Sequence, residues 1–183
     1  MKKILYKDLY RCEGPNASKL SVRLKYFFFI PGFTMVYCFR MASESKFFLS
    51  KALWRVLHRI TMYITGIQLP VGTKIGEGLR IAHFGTMVIN DGAVIGRNFS
   101  IAQGTLIGSA QGKKKGHPRI GDNVCMQANS MVVGGVHLGN NVLIAPGAFV
   151  NFDVPDNCIV IGNPGQIIQK DSSPTAKYIN YPV

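Results

Sequence analysis

Four histidines are the side chains of this chain best suited to exchanging a proton near neutral pH. Two of them, His83 in "RIAHFGTMVIN" and His117 in "GKKKGHPRIG", stand where an otherwise regular pattern is interrupted. An imidazole so placed suits a general base or acid, because it can take or give a proton near neutral pH without a large shift of its pKa. Lys113, Lys114 and Lys115 beside His117 add a cationic loop that attracts phosphates or an anionic glycan, or is simply a solvated basic loop. No chemical role is assigned to His58, inside a helical pattern, or to His137, which lies out of phase with His83. A metal-dependent hydratase needs about three His ligands around zinc. His83, His117 and His137 lack the close paired spacing for it, so no metal is expected.

The interrupted pattern has a period of six. Aliphatic or Met residues recur at Ile75, Ile81, Ile89, Ile95, Ile101 and Ile107, then at Ile120, Met126, Val132, Leu138, Ile144 and Val150. Four positions after them come mostly small or β-branched residues, with Leu79 and Phe99 as larger exceptions, and Gly commonly follows the aliphatic residue. This period fits neither an alternating strand nor a helical stripe. It predicts a parallel β-helix in which three hexads close a triangular coil and each inward aliphatic residue stacks on its counterpart in the next coil. The step widens to eight between Ile81 and Ile89, just after His83, and to thirteen between Ile107 and Ile120, around the lysines and His117. Insertions in a solenoid become loops, and loops on a rigid scaffold are where binding groups collect.

The elements outside this repeat are of another kind. Residues 1–65 read as helical, with Phe48, Leu49, Leu53, Val56, Leu57, Ile60 and Ile64 at helical spacing and Ser43 or Ser45 as the expected N-cap. They hold 12 Lys/Arg against 3 Asp/Glu, whereas residues 66–183 hold 9 against 6. No nucleic-acid-binding motif accompanies this charge, so nucleic acid is excluded as a partner and an anionic membrane surface is retained as a peripheral contact. The apolar run Tyr26–Phe39 is broken by Pro31 and Gly32 and falls short of the roughly 20 residues of a spanning helix. The start lacks the apolar region of a signal peptide, and four scattered cysteines without a C-x-x-C pair fit reduced thiols. A cytoplasmic protein, with its helical segment at the inner face of the membrane as an option, is the expectation. The division is a basic helical segment 1–65, a β-helix domain 66–154, and a cap with a loosely held tail, 155–183.

The run from "IGEGLRIAHFGTMVIN" to "VPDNCIVIGNPGQII" resembles the hexapeptide-repeat acyltransferases, in particular their serine acetyltransferase branch, over residues 66–168. The upstream "PGF" and "YCFRMA" look like those of related enzymes from capsule and exopolysaccharide clusters. The resemblance implies a mainly β fold, a left-handed parallel β-helix preceded by an α-helical segment, a homotrimer, and transfer of acetyl from acetyl-CoA to a hydroxyl. It implies that His83 is the catalytic base and that Gln68 replaces the aspartate that orients it. His117, Ala82 and Asn90 then fall at the acceptor, and Gly108, Ser109, Lys113, Lys114, Ala128 and Pro146 near the acetyl-CoA. Ala82 stands where the branch has a serine-holding aspartate, and Gly116 where it has an arginine. These losses of charge lead to the expected function: an O-acetyltransferase acting on a sugar hydroxyl of a polysaccharide or its precursor, by direct transfer. The alternative is a serine O-acetyltransferase of cysteine biosynthesis; a non-catalytic scaffold is a further one.

Overall fold

The computed structural model describes residues 3–183. Four helices come first: α1 (Lys3–Glu13), α2 (Leu20–Phe29), α3 (Pro31–Glu44) and α4 (Phe48–Thr65). Pro31 takes the first turn of α3, where its missing N–H costs nothing, so the apolar run Tyr26–Phe39 is cut into two helices rather than one. Ser45 is the C-cap of α3 and Phe47 precedes α4 without a side-chain cap, so neither Ser43 nor Ser45 plays the expected N-cap role. Gly66, in the left-handed region at φ 70°, ends α4 and turns the chain into the strands.

Fifteen short strands follow, arranged as three walls. The first holds β1 (Ile67–Gln68), β4 (Met87–Ile89), β7 (Leu106–Gly108), β10 (Met131–Val133) and β13 (Phe149–Val150). The second holds β2 (Lys74–Ile75), β5 (Val94–Ile95), β8 (Arg119–Ile120) and β11 (His137–Leu138). The third holds β3 (Arg80–Ile81), β6 (Ser100–Ile101), β9 (Cys125–Met126), β12 (Leu143–Ile144) and β14 (Cys158–Ile161), with β15 (Gln166–Gln169) added antiparallel to β14. All other pairings are parallel, and the six-step residues stand opposite one another. Ile75, Ile95, Ile120 and Leu138 form one stack. Ile81, Ile101, Met126 and Ile144 form the second, which Val160 extends beyond residue 154. Ile89, Ile107, Val132 and Val150 form the third.

The glycine after the aliphatic residue is required by the distance between coils. A Cβ at Gly96 would lie 2.7 Å from the Gly121 carbonyl carbon, and one at Gly121 2.7 Å from the Gly139 oxygen. Left-handed corners along one edge of the stack are made by Asn98, Asn123, Asn141 and Asn157. Their side-chain amides bond to one another from coil to coil at 2.9, 3.0 and 2.9 Å, which offsets the cost of a positive φ without glycine.

The helices close the open end of this stack. Met35, Val36 and Phe39 of α3 are buried in the same core as Leu69 and Leu79. Arg40 and Asp8 fix the junction: the guanidinium meets the Asp8 carboxylate at 2.9 and 3.2 Å and donates to the Ile75 and Gly76 carbonyls. Asp8 also accepts from the N–H groups of Gly78 and Leu79 at 2.8 and 2.9 Å. Burial pushes the Asp8 carboxyl pKa up, opposed by Arg40 and these two donors. The tail expected to hang loose is instead tied down. Ile179 packs with Cys125 and Leu143 on the third wall, and the backbone of Val183 exchanges two hydrogen bonds with the Asn98 amide.

Removing one partner of a buried, hydrogen-bonded ion pair strands the other charge. Asp8→Ala should lower the unfolding free energy by about 3–5 kcal/mol in urea denaturation; a loss below about 1 kcal/mol would show that the junction is held by other contacts.

Candidate active site

His83 lies on the loop of residues 82–86 between β3 and β4, and that loop is pinned at both ends. The Ala82 N–H donates to the Ile101 carbonyl at 2.9 Å, Gly85 to Thr65 at 3.0 Å and Met87 to Gly66 at 3.1 Å. Gly85 sits at φ 126°, a conformation that a residue with a Cβ adopts only under strain. From below, α3 comes close enough to Ile81 that a Cβ at Gly32 would run into its carbonyl. His83 itself is exposed, and among the described residues its ring has no hydrogen-bond partner. Gln68 is exposed on β1, opposite Val88, and its amide makes no side-chain hydrogen bond among the described residues. No hydrogen bond therefore joins Gln68 to His83 within the described chain.

His117 follows the longer loop, which an antiparallel bridge between Ala110 and Gly116 closes into a hairpin. Lys114 pairs with Asp153 at 2.9 Å, and its carbonyl accepts the Gly135 N–H at 2.7 Å, so this lysine anchors the loop to later coils. The His117 Nδ1 is 2.7 Å from the Asn90 Oδ1, which also accepts the Gly92 N–H at 2.9 Å. A carbonyl oxygen cannot donate, so Nδ1 carries the proton of this bond and Nε2 is the nitrogen left free. A Cβ at Gly92 would lie 2.6 Å from that Nδ1, which is why glycine stands there. A cleft of about 450 Å³ beside His117 is lined further by Lys115, Arg119, Asp153 and His137. His137 was assigned no role, yet it stands in register with Arg119 one coil below, and that coil-to-coil pairing is the signal by which it could have been found.

The two histidines flank the first wall, since the His83 loop leads into β4 and Asn90, the partner of His117, follows it. The expected cofactor residues divide in the same way. Ala128 and Pro146 fall on the turns between third and first walls, as His83 does. Gly108, Ser109, Lys113 and Lys114 fall at the far side of the first wall with His117. One described chain thus does not gather all these residues at one point. All four cysteines are free thiols with raised pKa values, Cys12 up to about 11 through burial, which suits none of them to act as a thiolate acyl carrier. Among the described residues no three His, Cys, Asp or Glu side chains gather as a metal-binding group.

A feature overlooked at the sequence level is the cleft of about 490 Å³ between α4 and β1, lined by Arg55, His58, Arg59, Met62, Gln68, Pro70 and Val71. Its rim continues to Tyr63 and Gly66, next to the carbonyls that hold the His83 loop. The stripe Leu49, Leu53, Val56, Ile60 and Ile64 that marks α4 as a helix faces outward, whereas His58 and Thr65 are its buried residues. His58 is 3% exposed, and its Nε2 has no hydrogen-bond partner. Burial pushes its pKa below the ordinary 6.5, opposed by a bond to the Leu69 backbone.

The family model described as bacterial transferase hexapeptide (six repeats) matches residues 117–151. The chain is 34% identical to the serine acetyltransferase of Synechococcus elongatus over 142 residues, 76% of this chain and 58% of that protein. It is 36% identical to the serine acetyltransferase of Staphylococcus aureus over 129 residues, covering 69% and 60%. The chain thus spans about three fifths of the length of the curated relatives it matches. Among solved structures, the serine acetyltransferase of Neisseria gonorrhoeae superposes with a TM-score of 0.74 at 28% identity, covering 96% of this chain and 69% of that one. The Brucella abortus serine acetyltransferase in complex with coenzyme A gives a TM-score of 0.74 at 26% identity, covering 93% and 67%.

These relatives correct the expectation of a sugar or glycan acceptor in a polysaccharide pathway, since they are serine acetyltransferases. The expectation rested on the losses of charge at Gln68, Ala82 and Gly116, three positions that the similarity of the chain to serine acetyltransferases outweighs.

His58 also sets a pH dependence. The unfolded chain protonates this imidazole at about 6.5, whereas the folded protein holds it neutral to lower pH, so stability should be lost as pH falls from about 6.5 towards the depressed pKa. Urea unfolding at stepped pH should show a shallower acid slope for His58→Phe than for the wild type; equal slopes would mean that His58 is protonated in the fold.

Proposed function

Since the chain belongs to the bacterial hexapeptide-repeat transferases, on their serine acetyltransferase-like branch, we propose that it transfers acetyl from acetyl-CoA to the hydroxyl of serine. The observation that carries this reading is His83: exposed, with no hydrogen-bond partner, on a loop pinned to both α4 and the next coil. Its imidazole takes the hydroxyl proton as the serine oxygen attacks the thioester carbonyl. The tetrahedral intermediate then expels the CoA sulfur, the C–S bond breaks, and the proton passes to the departing thiolate. The products are O-acetylserine and CoA, and no acetyl-enzyme forms. Backbone N–H groups of a neighbouring coil stabilise the oxyanion.

In this proposal the Gln68 amide oxygen reaches His83 from a neighbouring copy, since no hydrogen bond joins the two within one described chain, and it orients the imidazole less strongly than a carboxylate would. His117, fixed by Asn90, presents Nε2 to the acceptor. Ala82 leaves room beside the base. Gly108, Ser109, Ala128 and Pro146 give the pantetheine arm low surfaces, and Lys113 faces the CoA phosphates while Lys114 orders the loop through Asp153. A left-handed coil and a homotrimer belong to the same reading, because a neighbouring copy brings the His117 side of one first wall to the His83 side of another. So does the division into 1–65, 66–154 and 155–183.

Peripheral contact with an anionic membrane completes the proposal. Neither α2 nor α4 contains an acidic residue, and Phe28, Phe29, Phe48, Leu53 and Tyr63 are exposed on them beside lysines and arginines. Among the described residues no helix is long and apolar enough to cross a membrane.

With L-serine as acceptor, His83→Ala should lower kcat by about 10²–10⁴-fold in a CoA-release assay while leaving thermal unfolding unchanged; retained turnover would remove His83 from the mechanism. The protein should sediment with vesicles containing anionic lipid at low salt and stay in solution at high salt. No sedimentation at low salt would remove the membrane contact.

A further inference from the structure

We propose that the cleft between α4 and β1 is the subsite that receives the carboxylate of the acceptor, with Arg59 as its principal contact and Arg55 beside it. This deepens the serine reading and rests on it. Arg55 and Arg59 are one helical turn apart and both line the cleft. No acidic side chain lines it with them, and neither arginine has an ion-pair or hydrogen-bond partner among the described residues. The buried acid of the helical segment, Asp8, is committed to Arg40. The other lining groups are the Gln68 amide, the apolar Met62, Pro70 and Val71, and His58, whose buried Nε2 also lacks a partner.

Two unmatched guanidinium groups over a partly apolar wall recognise a planar anion, and arginine binds a carboxylate through two parallel N–H···O bonds. A neutral hydroxyl compound has no use for such a site. The location matters as much as the charge. Arg59, Met62 and Tyr63 lead along α4 to Thr65 and Gly66, whose carbonyls accept the N–H groups of Gly85 and Met87 beside His83. In the proposal, an amino acid held by its carboxylate in this cleft turns its hydroxyl toward the end of α4 that pins the His83 loop. Gln68 borders this cleft and also a smaller one of about 290 Å³ with Asn90 and Gly108, so the acceptor's path and the expected donor residues meet at Gln68. An alternative source of the same anionic chemistry is a phosphate of the donor, and the experiment separates the two.

Steady-state kinetics of the full-length protein, varying L-serine and acetyl-CoA separately, tests the proposal with Arg59→Gln and Arg59→Lys, and with L-serinamide as an uncharged-carboxyl acceptor. Arg59→Gln should raise KM for L-serine about tenfold or more with kcat within about threefold, because binding rather than chemistry is weakened. Arg59→Lys should recover part of the loss, KM for acetyl-CoA should stay unchanged, and turnover of L-serinamide should not distinguish variant from wild type. An unchanged KM for L-serine overturns the subsite while leaving the serine reading in place. A rise in KM for acetyl-CoA instead assigns the arginines to the donor and overturns it too. If the wild type does not turn over L-serine at all, the serine reading fails and the subsite falls with it. Thermal unfolding of both variants, expected at the wild-type midpoint because Arg59 is exposed, checks that the kinetics report on the site.

Discussion

Everything in this molecule depends on one close approach: the backbone of each coil rests on the next at the glycine that follows an inward aliphatic residue. At Gly96 over Gly121, and Gly121 over Gly139, there is no space for a Cβ. The spacing lets the inward stacks exclude water and lets two-residue strands complete their hydrogen bonds from coil to coil. A chain locked to this step has nowhere inside to place extra residues. The insertions after Ile81 and after Ile107 therefore leave the wall, and His83 and His117 leave with them. The rigidity of the stack is what makes a short loop a dependable mount for a base.

The helical segment completes the stack and also contributes to the site. Asp8, Arg40 and the first coil form one buried hydrogen-bonded unit, so α1 and α3 are fixed relative to Ile75, Gly76 and Leu79. The C-terminal end of α4 then supplies the carbonyls that hold the His83 loop, and its arginines face Gln68 across a cleft. A helical segment outside the repeat thus has a second consequence, because its C-terminal end fixes the loop that carries His83.

The β-helix was legible because every inward position obeys a local rule, and the loop that carries His83 was legible because it is a breach of that rule. Other features were not local. Helical spacing in Leu49, Leu53, Val56 and Ile60 announces α4 but not which side it buries, and here the stripe faces outward while His58 packs inward. The tail is held by Asn98 and by Ile179 against Cys125, contacts between residues far apart in the chain that no short pattern encodes. Lys114 read as a free cation because its partner, Asp153, lies on a later coil. The sugar acceptor was inferred from three positions alone, Gln68, Ala82 and Gly116, and Arg55 and Arg59, which line the cleft at Gln68, come from a different part of the chain.

The proposed chemistry is a direct transfer, in which one acetyl group moves from sulfur to the serine oxygen while His83 carries the proton. Mass spectrometry of a reaction between the purified protein, acetyl-CoA labelled in its acetyl group and L-serine tests this most directly. Labelled O-acetylserine should accumulate in step with free CoA, and the intact protein should never gain the mass of an acetyl group. Absence of O-acetylserine, or an acetylated protein that forms before it, would contradict the account.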